Sequence, residues 1–261
     1  MGAFSSVWLT VCPTTNSLSI SNVHLQCAVR RRLGIAVTFE GDDVHGHAAL
    51  TDNRWARLNI RHNGVVAGWR QVLVEAGGSI PDTNVDTDVE RTLTRTNIPV
   101  APTDGRRLDL VAPGLNVYRG LPLFCDVTVL SPITATGFAR PGTSNQGGQL
   151  LVHAEADNDD TYSDVLSTGL GALLCLGSEV YGRWSRQCVD IVPKLARERT
   201  RGLHVRVRRG MALGLQHRWW GILGLAVQRS VAHVVLSSAA GVDLLTTGLE
   251  PAPALADLAL A

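Results

Sequence analysis

Two isolated acids stand inside apolar stretches of the chain. Asp126 is the one charged residue between Leu121 and Leu130, and Asp109 lies in the shorter stretch 107–111. The apolar and β-branched residues around both acids are typical of buried strands, and the Pro and Gly between the two stretches predict turns. A carboxylate inside a dry strand costs several kcal/mol unless a cation meets it. Each acid therefore requires a cationic neighbour in the folded protein.

If these two stretches pair as antiparallel strands, Asp109 and Asp126 come close together. Alternation along the second strand places Thr128 on the same face as Asp126, with Cys125 and Val127 on the other face. Two neighbouring carboxylates repel each other, and a shared Mg²⁺ or Mn²⁺ relieves the repulsion, since both ions prefer hard oxygen ligands. The sequence therefore predicts a divalent-metal site at the two acids.

Two matters stay open from the residues alone. Either acid can instead form a buried ion pair with Arg106 or Arg107, which would neutralise it without a metal. A divalent ion also takes more than two oxygen ligands, and Glu90 and Glu179 are both candidates for the third. The sequence does not choose between these alternatives.

Composition places the chain among folded globular proteins. Its 261 residues are 45% hydrophobic and 18% charged, with a net charge of +1, so disorder is not expected and no global field indicates a partner. The five cysteines are widely spaced and form no CxxC pair, which speaks against a disulfide framework and a zinc ribbon. We expect an intracellular protein, nuclear or cytoplasmic, because the N-terminus lacks a signal-peptide pattern. The longest apolar run near the C-terminus, 219–227, is too short to span a membrane.

The order of predicted elements indicates an α/β or α+β core, a small mixed sheet flanked by helices. The stretch 37–61 is polar, and we expect little regular structure there. A possible short strand lies at 98–100, 141–148 predicts a loop, and the tail after Gly248 is expected to fray. Apolar residues at helical spacing predict helices at 62–76, 162–175, 178–190 and 211–236, and a further helix is expected to end at Gly34.

A basic run follows the predicted sheet. Residues 194–209 contain seven Lys and Arg side chains against one acid, Glu198. Such a run can bind phosphates, and the alternative is a solvated helix face or loop. The candidate nucleic-acid contacts are Arg197, Arg199, Arg201, Arg206, Arg208 and Arg209.

Several blocks, taken in order, resemble one known family. They are Val7-Trp-Leu-Thr10 with Pro13, Arg30-Arg-Arg-Leu-Gly-Ile35, Asp43-Val-His-Gly-His-Ala48, Arg61-His-Asn63 with the helix that follows, Arg107-Leu-Asp109, and Cys125-Asp-Val-Thr-Val129. Together they resemble the C-terminal region of non-LTR (LINE-like) retrotransposon polyproteins, which follows the reverse transcriptase and ends in a restriction-like endonuclease. The resemblance covers roughly residues 5–235.

The resemblance implies four segments: a connector at 1–36, a degenerate zinc knuckle at 37–61, a nuclease domain of PD-(D/E)xK type at 62–200, and a helical extension at 201–261. It also implies a Mg²⁺- or Mn²⁺-dependent nickase of DNA, in which Asp109 and Asp126 bind the metal and Thr128 holds the position of the catalytic lysine. DNA, with RNA as an alternative, would be the partner. Neither a membrane nor a small-molecule cofactor is expected.

The chain departs from the family at points that matter for the chemistry. The knuckle cysteines are absent, and His45 and His47 alone make a poor zinc site, so no zinc is expected. Leu108 replaces the proline of the first acid motif. Thr128 stands where the family has a lysine, and the stretch 153–162, where related elements place that lysine, is acidic instead. Two alternatives therefore remain, an inactive nucleic-acid-binding or merely structural remnant of the same fold, and a soluble helical scaffold without a nucleic-acid role.

Overall fold

The fold is described from a computed structural model, which covers residues 2–37, 43–51, 57–78 and 91–240. It is a mixed α/β fold in which helices flank a small three-stranded mixed sheet. The helices are α1 (Asn22–Arg32), α2 (His47–Thr51), α3 (Arg57–Glu75), α4 (Gln149–Thr161), α5 (Ser163–Thr168), α6 (Arg186–Arg199) and α7 (Val205–Ala240). The strands are β1 (Arg91–Thr92), β2 (Arg107–Leu108), β3 (Leu110–Ala112), β4 (Leu123–Leu130) and β5 (Ala172–Glu179).

The central strand of the sheet is β4. It pairs antiparallel with β3, where Leu110 lies opposite Cys125, and parallel with β5, where Asp126 lies opposite Cys175. Helices α4 and α5 make the connection that a parallel pair requires. Strands β1 and β2 form a separate short antiparallel pair. The antiparallel pairing of the two stretches is thus confirmed, but only Asp126 lies within a strand, because the chain bends at Asp109 between β2 and β3.

Helix α7 forms the centre of the helical layer. Trp219, Trp220 and Leu223 are fully buried on it, as expected for core residues. It packs closely against α3 because two glycines of α3 leave room: a Cβ added at Gly64 or Gly68 would lie 2.0 Å from the Ser230 hydroxyl oxygen or 2.8 Å from the Ala226 methyl. A span of α7, Val205–Ser238, is long and apolar enough to cross a bilayer, but 72% of its apolar window is buried against the rest of the protein.

Some predicted elements are confirmed. Helix α1 ends just before Gly34, which adopts a positive φ of 69°. Helix α7 contains the predicted segment 211–236 and extends beyond it at both ends. The loop 141–148 precedes α4, as expected. The predicted fraying of the tail concerns residues that lie outside the described part of the chain.

Other expectations are wrong. The segment 37–61 is largely helical where it is described, because α2 lies within it and α3 begins at Arg57. Residues 98–100 form no strand. The helices expected at 162–175 and 178–190 are interrupted by β5, whose residues are buried on both faces. A strand covered on both sides has a continuous apolar sequence, so its periodicity does not distinguish it from a buried helix.

Candidate functional site: an acid cleft

Asp109 and Asp126 line one open cleft of about 420 Å³, which we call the acid cleft. Asp109 lies at the bend between β2 and β3, and Asp126 lies near the middle of β4. Helix α3 forms the opposite side. The other lining residues are Leu58, Asn59, Arg61, His62, Arg107, Thr128 and Val129. The structure therefore brings the two predicted metal ligands and Thr128 to one place.

Hydrogen bonds fix the carboxylate of Asp109. It is only 6% exposed. Its Oδ1 lies 3.0 Å from Nε2 of His62, and its Oδ2 accepts a bond of 2.6 Å from the backbone N–H of Val127. The second bond links the bend before β3 to the strand β4 through a side chain. Asp109 therefore has a set orientation, and each of its oxygens keeps a lone pair for a further ligand.

Asp126 is less favourably placed. Burial, followed by the charge of Asp109, raises the pKa of the Asp126 carboxyl from 3.8 to about 6. His62 and a hydrogen bond from the Asn158 side chain act in the opposite direction but do not offset the rise. The raised pKa shows that the ionised form of Asp126 lacks a full cationic partner, which a divalent cation would supply.

Arg61 adds a buried positive charge to the wall of the cleft. Its guanidinium donates to the backbone carbonyls of Leu50 (2.8 Å) and Val129 (2.9 Å). Burial, with a smaller effect from Arg31, lowers its pKa to about 10, so it stays charged at neutral pH. Arg61 therefore joins α2, α3 and the end of β4 at the edge of the acid cleft.

The ion pair expected as an alternative to the metal is not found for Arg106. That guanidinium bonds to Asp104 (2.6 Å) and to Asp164 (2.9 Å). The neighbour of Asp109 is instead the imidazole ring of His62, whose Nε2 lies 3.0 Å from Oδ1 of the acid. Arg107 lines the acid cleft, and its backbone carbonyl accepts a hydrogen bond from the Tyr162 hydroxyl.

The lysine position of the family motif holds neutral groups. Thr128 faces the acid cleft two residues after Asp126, and the residue of α4 that reaches Asp126 is Asn158. Asn158 is buried, and its Oδ1 has no hydrogen-bond partner among the described residues. Sequence reasoning missed Asn158 because acids surround it. The spacing could have indicated that Asn158 is buried, because it lies seven residues, about two helical turns, after the apolar Leu151 and therefore on the same face of the helix.

Sequence reasoning also missed what Arg61 and His62 do. His62 lies in the second turn of α3, and its ring nitrogen Nε2 is within hydrogen-bond distance of Asp109. Both residues belong to the Arg61-His-Asn63 block, and this was the signal that could have placed them at the acids.

The acid cleft offers a divalent ion two carboxylates. Within the described residues, no group of three or more His, Cys, Asp or Glu side chains is placed to hold a metal. Glu179 is not a third ligand, because it lies at the far end of β5 and pairs with Arg183 at 3.3 Å. Glu90 lies outside the described residues. Mg²⁺ is commonly bound by one or two carboxylates, with water and substrate phosphate as the remaining ligands, so the donor set fits Mg²⁺ or Mn²⁺.

The basic residues divide into two groups. One group lines a second cleft of about 760 Å³, which we call the basic cleft. It consists of Lys194 and Arg197 on α6, Arg201 just after α6, and Arg208 and Arg209 on α7. Arg199 and Arg206 are exposed and do not line it. The structure therefore collects four of the six predicted nucleic-acid contacts.

Comparison with known proteins adds no family to these observations. No model of a protein family matches the chain, and no curated protein matches it. A functional interpretation therefore depends on the residues themselves and on the two clefts that the fold forms.

Proposed function

We propose that the protein is a retroelement-derived endonuclease-like domain that nicks DNA with Mg²⁺ or Mn²⁺. The observation that carries this proposal is the placement of Asp109 and Asp126 in one open cleft beside Arg61 and His62. The element order supports it: an opening helix, an antiparallel pair of strands with Asp109 just before the first and Asp126 within the second, a helical crossover and a parallel strand. This order is compatible with a PD-(D/E)xK nuclease core. Such a domain works on nuclear or cytoplasmic nucleic acid.

Each residue of the acid cleft has a role in this proposal. Asp109 and Asp126 would hold the ion, which supplies an activated water and stabilises negative charge on the phosphate. The Val127 N–H and His62 orient Asp109. Arg61 and Arg107 provide positive charge beside a bound phosphate. Since Asp126 binds metal only when ionised, nicking at a metal concentration well below the dissociation constant should rise with pH through about 6, and a higher metal concentration should move this rise to lower pH.

A second candidate is an inactive, nucleic-acid-binding form of the same fold. Thr128 and Asn158 favour it, because neither can carry the positive charge of the missing lysine. A lysine at such a site positions the attacking water or stabilises the developing charge. The two candidates share a nucleic-acid partner and differ only in turnover.

Plasmid nicking separates the candidates. Supercoiled plasmid is incubated with the full chain and Mg²⁺ or Mn²⁺, and open circles are measured. We expect weak nicking that Asp126→Asn abolishes while DNA binding in EDTA stays unchanged. Asp157→Asn is the matched control, since it makes the same charge change on an exposed acid of α4.

A second variant in the plasmid assay tests the position at which the family has its lysine. Thr128→Lys should increase nicking, because it places an ammonium group in the acid cleft. Binding without nicking, in the wild type and in Thr128→Lys, would favour the inactive form. Loss of both binding and nicking would leave the helical scaffold as the remaining interpretation.

A further inference from the structure

The basic cleft combines three structural elements. The end of α6 contributes Lys194 and Arg197, the first turns of α7 contribute Arg208 and Arg209, and the loop at Asn116–Tyr118 closes one side. It lies on different elements from the acid cleft and shares no lining residue with it. Its volume of about 760 Å³ lies in the range of ligand-binding pockets.

The charge of the cleft is strongly positive. Five Lys and Arg side chains line it against the single acid Glu198. That acid is already engaged, since it accepts a bond of 3.1 Å from the Asn116 amide and lies 3.6 Å from the Arg201 guanidinium. In the described part of the chain, neither Arg197 nor Arg209 has a side-chain hydrogen bond or an ion pair. These two guanidinium groups are therefore available to an anionic occupant.

Exposed apolar side chains also line the basic cleft. Val205 is 71% exposed and Leu213 is 57% exposed, and both line the cleft. Tyr118 lines the cleft as well, and the Lys194 ammonium lies 4.5 Å from the centre of its ring. A fitting occupant therefore has anionic groups for the guanidiniums and flat apolar surfaces for these side chains.

We propose that the basic cleft binds unpaired nucleotides of a single-stranded nucleic acid. Phosphates would contact Arg197 and Arg209, and bases would lie against Val205, Leu213 and the Tyr118 side. Duplex DNA presents phosphates outward and keeps its base faces stacked, so it leaves the apolar wall without a partner, whereas an unpaired strand satisfies both features. The choice of nucleic acid over other anions rests on the function proposed above.

The test uses the full chain and a fluorescein-labelled oligothymidine of about 12 nucleotides. Anisotropy is measured in EDTA, so that the acid cleft contributes no metal-dependent binding. Arg197→Gln combined with Arg209→Gln removes two cleft charges. Arg199→Gln combined with Arg206→Gln removes two exposed charges of the same run that lie outside the cleft. Circular dichroism checks that each variant folds.

We expect the cleft pair to weaken binding about tenfold near 0.15 M salt, and to lower the slope of log affinity against log salt by about 0.7 for each lost contact. The control pair should change the affinity by less than about twofold, since its charges act only through screened solvent. Equal losses in both pairs would overturn the proposal, because general electrostatic attraction would then explain the binding.

A second pair of variants tests the apolar wall. Leu213→Ser should weaken binding of the strand and leave the salt slope unchanged. Met211→Ser is the matched control, since Met211 is similarly exposed on α7 but does not line the cleft. Equal affinity for a duplex of the same length would contradict the inference. The inference would also be contradicted if thymidine monophosphate, at the same concentration of nucleotides, or an acidic peptide displaced the labelled oligothymidine completely.

The outcome is separable from that of the plasmid assay. If nicking depends on Asp126 but the two double variants bind the oligothymidine equally well, the proposed nuclease function is supported and the proposal for the basic cleft is overturned. If binding of the single strand depends on Arg197 and Arg209 but no nicking occurs under any condition, the proposal for the basic cleft is supported and the proposed nuclease activity is overturned.

Discussion

The two clefts hold their charges in opposite ways. In the acid cleft, charged groups are bonded to the interior: Asp109 to the Val127 N–H, and Arg61 to the Leu50 and Val129 carbonyls. In the basic cleft, the guanidinium of Arg209 lies on an exposed stretch of α7. Buried charges perturb one another strongly, whereas exposed charges are screened by water and salt.

The charged groups of the acid cleft therefore contribute both to a candidate site and to the bonds that hold the fold together. We expect changes of its groups to alter the stability of the fold, and we expect the ionised form of Asp126 to lower that stability, because burial raises the pKa of its carboxyl. We expect changes at the exposed Arg197 and Arg209 of the basic cleft to have little effect on folding. Stability measurements should therefore separate the two clefts as clearly as binding measurements do.

The largest expected effect is that of Arg61→Ala. The variant leaves the carbonyls of Leu50 and Val129 without their donor and removes a packed side chain, so unfolding should become easier by about 3 kcal/mol. Urea unfolding followed by circular dichroism measures it. Arg209→Ala is the control and should change stability by less than about 0.5 kcal/mol. Similar effects of the two variants would remove the contrast between the clefts.

Asp126→Asn should instead stabilise the protein against unfolding at neutral pH. The pKa of Asp126 is raised in the folded state from 3.8 to about 6, so the folded protein holds the proton more tightly than the unfolded chain. Its contribution to stability is fully present below pH 3.8 and is lost as the pH rises to about 6. At pH 7 the Asn variant should therefore be more stable, by about 2 kcal/mol after allowance for partial exposure.

Urea unfolding between pH 4 and pH 7 measures this difference, in the absence of divalent ions. The gap between variant and wild type should widen as the pH rises through this window. Asp157→Asn, on an exposed position, is expected to show no such widening. A variant less stable than the wild type at pH 7 would show that ionised Asp126 has a cationic partner, and the motive for a metal would disappear.

A smaller effect is expected from the metal itself. If the acids bind Mg²⁺ with a dissociation constant of about 1 mM, then about 10 mM of the ion should stabilise the wild type by roughly 1.4 kcal/mol. Asp126→Asn should lose this gain, because the amide has no charge to hold the ion. Thermal unfolding with and without Mg²⁺, at constant ionic strength, makes the comparison. An equal shift in both proteins would indicate binding elsewhere.

The sequence predicts the acid cleft better than the basic cleft, for a physical reason. An acid such as Asp126 in an apolar strand is costly, so its isolation indicates where charge is required, and the strand period gives its face. Exposed arginines carry no such cost, and nothing in residues 194–209 distinguishes Arg197, which lines the cleft, from Arg199, which does not.

The remaining misses come from contacts between distant segments. Asn158 reaches Asp126 because the α4–α5 crossover folds back over the sheet, and Arg61 bonds to Val129 across 68 positions of the chain. Neither contact leaves a local pattern. Strand β5 was hidden for a related reason, since burial on both faces removes the alternation that identifies a half-buried strand.

The smallest expected effect is that of zinc, and it concerns a third region, around His45 and His47. The two rings lie 5.6 Å apart, but nearby Asp43 is engaged, since its carboxylate accepts bonds from the backbone N–H groups of His47 and Ala49 at the start of α2. Without thiolates, two histidines do not complete a tetrahedral site. We therefore expect no stoichiometric zinc in the purified protein and no rise in unfolding temperature on its addition. Elemental analysis and thermal unfolding with a chelator test this, and one tightly held zinc per chain would mean that residues 37–61 still form a metal-binding knuckle, a site that neither cleft supplies.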